Sequence, residues 1–225
     1  MKQFKFDLVA VEELPVVTTE KGRYYQTPTG ERYPSVTSVL GSQPEKKSML
    51  DKWRKRIGIE QAERISTQAA RRGTEIHSLM ENYIIEGQVP TDLMPTKKHI
   101  FNGLRNAVDK NLQTIRSIES SLYSHRLKLA GRCDMIGQWA GVNAVIDYKT
   151  SAKMKREDWI KDYFMQCTAY SIMFEELTGI EVPNIVLLIG VDEEAEPQVF
   201  VRPRNNYVTD LFKVLNEYYE RVGVA

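Results

Sequence analysis

The chain has few of the residues that build covalent scaffolds. Its 225 residues include 2 cysteines, Cys133 and Cys167. Two cannot frame a disulfide-stapled domain, a four-cysteine zinc site or a four-cysteine iron–sulfur cluster. Both read as small core residues in a reducing compartment. Long apolar runs are also missing. Stretches such as "IVLLIG" are far too short to cross a bilayer, so no membrane partner is expected. The N-terminal "MKQFKFDLVAVEEL" alternates apolar and polar residues. It has neither the apolar core of a signal peptide nor an arginine-rich transit pattern. The expected location is therefore the cytoplasm of a prokaryotic or phage-infected cell. No P-loop pattern occurs, and no nucleotide cofactor is expected. The formal net charge of +1 supplies no global basic field, so any polyanion must be met by local charge. Basic runs do exist, as in "KKSMLDKWRKR", "ARRG", "TKK" and "SAKMKR". Each run taken alone reads first as a solvated face.

What is present suits one substantial core. Hydrophobic residues make up 42% and charged residues 27%, which is ordinary for a globular chain of one domain. Residues 1–225 are expected to form a single unit. Within it, 1–57 supply strands and a basic helix, 58–178 the core, and 179–225 further strands and a helix. Residues 3–33 read as short strands with a turn at Gly30. Ser35 is placed to cap a short helix that stops at Gly41, and 45–57 form a basic helix. Ile59, Ala62, Ile65, Ala69, Gly73, Ile76, Met80 and Tyr83 recur at spacings of three and four. They predict one stripe of a long helix, ended by Gly87 and Pro90. A further helix is expected over 96–112. The period then changes to two, with strands over 114–124, 128–138 and 142–149. A helix over 156–178, closed by Gly179, strands over 184–191 and 197–202, and a helix over 204–222 complete the chain. This order predicts a mixed α/β fold with a central mixed β-sheet flanked by helices.

The segment "LAGRCDMIGQWAGVNAVIDYKT", residues 129–150, carries the chemistry. Strand parity puts Asn143, Val145, Asp147 and Lys149 on one face of the second strand. On the first, Arg132 and Asp134 share a face, and Leu129, Gly131, Cys133 and Met135 share the other. A turn at Ala140–Gly141 sets Trp139 opposite Val142 and Asp134 opposite Asp147, and a bulge at Gly137 would shift that register. Directly opposed like charges destabilise a strand pair. Two readings stand here. In one, both aspartates sit on a solvated face. In the other, a divalent cation lies between them, since hard cations take oxygen ligands and often only one or two carboxylates. Lys149, on the face of Asp147, fits the second reading as a cation beside a developing anionic charge.

These residues resemble the signature of the PD-(D/E)XK nuclease superfamily: an Asp, then D/E-x-K on the next strand. Here the positions are Asp134 and Asp147-Tyr148-Lys149. The combination of "GRCD", the spacing and "DYKT" is similar to the RecB-type branch. The resemblance implies a restriction-endonuclease-like core with an N-terminal β/helical extension. It implies a metal held by His77, Asp134, Asp147 and the carbonyl of Tyr148, with Asp134, Asp147 and Lys149 catalytic. His77 ends a Gly73-x-x-x-His77 pattern that this branch shares; His99 and His125 match no motif. In "DWIKDYFMQCTAYSIMF", Trp159, Tyr163, Gln166 and Tyr170 share a helix face. Ile160, Phe164, Cys167, Ser171 and Phe174 form the neighbouring core stripe. A wide core stripe would explain those aromatics equally well. The resemblance instead implies that Gln166-x-x-x-Tyr170 touches the substrate strand, with Tyr163 beside it. Glu119 stands where the branch often has a glutamate, as a ligand through water or as an exposed strand residue.

The N-terminal "YPSVTSVLG" and "DKWRKR" resemble the mitochondrial genome maintenance exonuclease group and its phage-type relatives. That likeness implies a helical arch for single-stranded DNA, lined by Lys52, Arg54, Arg56, Arg71 and Arg72, with Arg132 nearer the sheet. The expected function is a Mg²⁺- or Mn²⁺-dependent DNA exonuclease acting on single strands with a free end. It would serve repair, recombination or replication, among the proteins of those processes. The alternatives are a duplex-specific 5′→3′ recombination exonuclease, an endonuclease, and a non-catalytic nucleic-acid-binding module.

Overall fold

A computed structural model describes residues 2–20, 22–192 and 194–223. The chain opens with β1 (Lys5–Phe6), β2 (Val16–Thr19), β3 (Gly22–Gln26) and β4 (Arg32–Pro34). Four helices follow: α1 (Val36–Gly41), α2 (Pro44–Ile57), α3 (Ile59–Glu86) and α4 (Pro95–Asn111). Then come β5 (Leu112–Ser124), β6 (Leu129–Trp139), β7 (Val142–Ser151), α5 (Lys161–Thr178), β8 (Asn184–Val191), β9 (Gln198–Pro203) and α6 (Asn205–Val222).

The strands form a six-stranded mixed sheet in the order β1-β5-β6-β7-β8-β9, and a small sheet of β2-β3-β4. β5, β6 and β7 run antiparallel, while β8 joins β7 in parallel. A parallel neighbour needs a crossover, and α5 supplies it. The expected mixed α/β fold is the one observed. "AVIDY" of β7 is buried on both faces because the sheet is covered on both. Val145, Phe164, Cys167 and Leu211 belong to the core under α5 and α6. Ile76, Met80, Leu104 and Ile146 belong to the core under α3 and α4.

Three departures from the sequence reading bear on the site. First, α3 has the expected length, but apart from Ala62 its apolar stripe is buried only in the second half. Ile76, Met80 and Tyr83 pack on the sheet, while Ile59 is 67% exposed and Ile65 is exposed too. α2 buries no residue. Second, the helix expected from 156 begins at Lys161. A 3₁₀ turn over Glu157–Trp159 precedes it and leaves Trp159 68% exposed. Trp159 therefore leaves the helix face it was expected to share with Tyr163 and Gln166; the Arg156 guanidinium lies over its ring instead.

Third, the alternation of β6 inverts partway along the strand. Leu129 and Cys133 face the α5 core, but Met135 and Trp139 face the α3–α4 core. β5 does the same, with Leu122 on one side and Ile118 and Ile115 on the other. The inversion falls at Asp134 and Glu119, and Glu119 holds a left-handed φ of 44°. Met135 is thus not on the face of Cys133, as strict parity had it. The turn is as expected, with Ala140 and Gly141 both at positive φ and Trp139 paired to Val142. The bulge lies not in this hairpin but on β5 opposite Gly137. A β-carbon on Gly137 would stand 2.6 Å from the Thr114 carbonyl.

Candidate active site

The β6–β7 ladder runs from Trp139–Val142 to Met135–Ile146. The next step would oppose Asp134 and Asp147. Instead, the Tyr148 amide donates to Asp134 Oδ2 at 2.9 Å. A side chain thus takes the place of a ladder carbonyl, and the two aspartates turn to different neighbours. α3 brings His77 to Asp134, with Nδ1 3.4 Å from Oδ2. The His77 ring also meets Tyr148 edge-on at 6.1 Å. Asp147 is 1% exposed and points toward α5, where Gln166 Nε2 donates to its Oδ1 at 3.3 Å. Its Oδ2 forms an ion pair with the Lys149 ammonium, though not a hydrogen bond of good geometry. The Lys149 ammonium in turn lies 5.2 Å from the centre of the Tyr163 ring.

His77, Glu119 and Asp134 each offer a ligand atom within 4.8 Å of the others, a group that could hold a metal ion. Glu119 therefore belongs to the cluster, and its left-handed backbone is what aims it there. Asp147 is not part of this three-residue group; Lys149 and Gln166 engage its carboxylate.

The electrostatics follow from burial beside charge. For Asp134, burial is the largest effect and raises its pKa, but the His77 hydrogen bond and charge, Lys149 and the Tyr148 amide together bring it below the usual carboxylate range. Burial lifts Asp147 to about 6 and Asp134 adds to this, against the pull of Lys149. Burial, then the Asp134 charge, raise Glu119 to about 7. For His77 burial works downward, yet Asp134 and Asp147 raise it to about 9. Lys149 is likewise pushed down by burial and carried upward by the two aspartates. The site thus holds excess negative charge that draws in protons, which is the condition for drawing in a metal cation.

No family model matches the chain. Over 131 residues the chain is 27% identical to mitochondrial genome maintenance exonuclease 1 of Mus musculus. The match takes in 54% of this chain and 38% of the mouse protein. Among solved structures, the crystal structure of SSO0001 is similar at 15% identity, covering 80% of this chain and 74% of that one at a TM-score of 0.36. A likeness that slight carries no functional weight.

The remaining expected residues fall into distinct settings. Tyr170 is 2% exposed, its ring packed on Gly131 and its hydroxyl 3.4 Å from Gln166 Nε2. It is a buried support for Gln166, not a surface on which a base could stack. Arg132 is exposed and pairs with Glu119 at 3.2 Å and Glu13 at 3.3 Å. Arg72 is held by both oxygens of Asp192 at 2.7 Å, with Thr150 Oγ1 at 3.4 Å. That fork ties α3 to the ends of β7 and β8 five residues before His77. Arg54 stands exposed on α2, 3.8 Å from Asp51. Glu13 and Asp192 escaped the sequence reading. Asp192 had a signal, as the first acid after the apolar run of β8; Glu13 lay in a segment with no motif.

Proposed function

We propose that this chain is a metal-dependent DNA nuclease, an exonuclease that acts on single strands with a free end. The observation that carries this is the cluster of His77, Glu119 and Asp134 beside a buried Asp147–Lys149 pair. The likeness to a genome maintenance exonuclease supports the same chemistry. The donor set, two carboxylates and one imidazole, fits a divalent cation, and the imidazole makes Mn²⁺ a better match than Mg²⁺. When bound, such an ion would supply Lewis-acid polarisation of a phosphoryl oxygen and a water of lowered pKa.

The chain's own groups do the positioning. Tyr148 N–H fixes the carboxylate of Asp134. Gln166 fixes that of Asp147, which aims the Lys149 ammonium. The face of Tyr163 confines that ammonium from the other side. Lys149 is then placed to stabilise the charge that grows on the phosphoryl oxygens as the phosphodiester is attacked. His77 would have to be neutral to hold the cation. DNA is the substrate in this reading, and replication or recombination proteins are its natural partners.

The test uses end-labelled single- and double-stranded DNA, with 5′ or 3′ ends blocked, with EDTA, Mg²⁺ or Mn²⁺. Cleavage should require the metal and a free end. Asp147→Asn and Lys149→Ala should each lower the rate by roughly 10²–10³. Undiminished cleavage by Asp147→Asn would sink the assignment, and cleavage of closed circles would replace "exonuclease" by "endonuclease".

A further inference from the structure

The turn between β5 and β6 carries a second constellation, built from other residues. Two cavities of about 420 and 470 Å³ share Lys128 and Tyr219 as lining, so they adjoin as the two halves of one grooved surface. Tyr24, Tyr33, Tyr218 and Tyr219 line one half. Leu127, Phe212 and Leu215 line the other. The groove lies where the small sheet, the β5–β6 turn and α6 meet.

Its rings are held in place before any ligand arrives. The Tyr219 hydroxyl donates to the carbonyls of Lys128 at 2.6 Å and Leu127 at 3.1 Å. Tyr218 shares a hydrogen bond with Tyr24 and meets the Tyr219 ring edge-on at 5.2 Å. Tyr33 is tethered to His125, hydroxyl to Nδ1, at 2.8 Å. Lys128 sits at a φ of 51°, a strained setting for a lysine, and it lines both halves of the groove.

The charge that lines the groove is mostly positive, although Glu31 and Glu176 act on Tyr33 from beside it. Arg32, Arg126 and Lys128 are exposed and, among the described residues, have no ion pair. By contrast, Arg72, Arg116, Arg132, Arg202 and Arg204 each face a carboxylate. Of the groove lining, only Glu220 is acidic. Half-buried rings flanked by unpaired cations are what a flexible polyanion with planar groups requires. Phosphates meet the cations while bases stack on the rings. Aromatic grooves also take proline-rich peptides, but such a peptide gains nothing from three unpaired cations.

We infer that this groove is a second binding site for single-stranded nucleic acid. As a hold on the uncut length of the substrate it rests on the nuclease reading; as a binding site it rests on the groove alone. Lys128 precedes Asp134 by six residues of β6. At about 3.3 Å per residue the two lie about 20 Å apart along the strand, so a strand held in the groove can extend to the metal cluster.

The experiment measures anisotropy of labelled oligothymidylate on the full chain in EDTA, where no cleavage occurs. Tyr33→Ala should weaken binding of a long strand roughly tenfold. A combined Arg126→Glu and Lys128→Glu change should weaken it further and flatten its salt dependence. A short strand, unable to span both sites, should be cleaved at the wild-type rate by both variants. Unchanged long-strand affinity would overturn the inference. So would an equal loss of heparin binding by Tyr33→Ala, which would leave only non-specific charge, or saturable binding of a proline-rich peptide in place of the oligonucleotide. Far-UV circular dichroism and thermal unfolding guard against misfolding, and Tyr33→Phe, which keeps the ring, should restore affinity. If the wild-type chain cleaves nothing while these variants lose binding, the nuclease reading fails and the groove stands; if Asp147→Asn still cleaves, the active-site assignment fails and the groove stands.

Discussion

At the scale of single residues, the site is paid for in stability. Glu119 holds a φ that L residues avoid, beside another carboxylate, and strain of this kind costs about 1–3 kcal/mol. Asparagine tolerates that backbone and removes the charge. Glu119→Asn should therefore raise the unfolding free energy of the chelated protein by about 1 kcal/mol. It should also weaken the binding of Mn²⁺ measured by calorimetry. A loss of stability would mean that the Arg132 ion pair outweighs the strain. His77 gives the pH dependence. Its folded pKa of about 9 lies above the ordinary value of 6.5. The stability it contributes is thus complete below 6.5 and lost as pH rises through 9. Glu119, raised from 4.5 to about 7, acts in the same sense in a lower window. In EDTA the unfolding temperature should fall from pH 6.5 to 9, and His77→Gln should remove that fall. A slope that survives the substitution would assign it to another group.

At the scale of elements, the close approach of β6 to α5 is decisive. A β-carbon on Gly131 would lie 2.7 Å from the Tyr170 ring. That ring is buried and has nowhere to swing. Gly131→Ala should cost about 2 kcal/mol in denaturant unfolding, and it should lower cleavage more than binding, because Tyr170 braces Gln166 against Asp147. Full activity in a folded Gly131→Ala protein would show that the brace is not needed. The elements themselves were largely legible. The turn at Ala140–Gly141, the Ser35 cap and the Gly179 stop are local events, and side-chain chemistry within a few residues sets them. The burial of α3 was not legible in the same way. Its stripe is periodic from Ile59 to Tyr83, but only the second half has a sheet beneath it. Periodicity reports which face would be buried, not whether a partner is there.

At the scale of the whole molecule, the near-neutral chain concentrates its positive charge on α2, which buries nothing. Reversing Lys52, Arg54 and Arg56 to glutamate together should leave thermal unfolding unchanged, since exposed substitutions rarely move stability. It should weaken oligonucleotide binding and lower its salt dependence. Unaltered binding and salt slope would remove α2 from the path of the strand. The sequence by itself determined the hairpin and its register, and it singled out Asp134, Asp147 and Lys149 there; His77 entered only through the resemblance to a nuclease family. The shared faces of those three follow from local parity. Only the tertiary structure decided how they divide. The sheet inverts its faces at Glu119 and Asp134, so Asp134 joins His77 under α3 while Asp147 turns to Gln166 under α5. Alternation along one strand carries no information about a break that two neighbouring strands must make together, and that shared break is what brings Glu119 into the cluster.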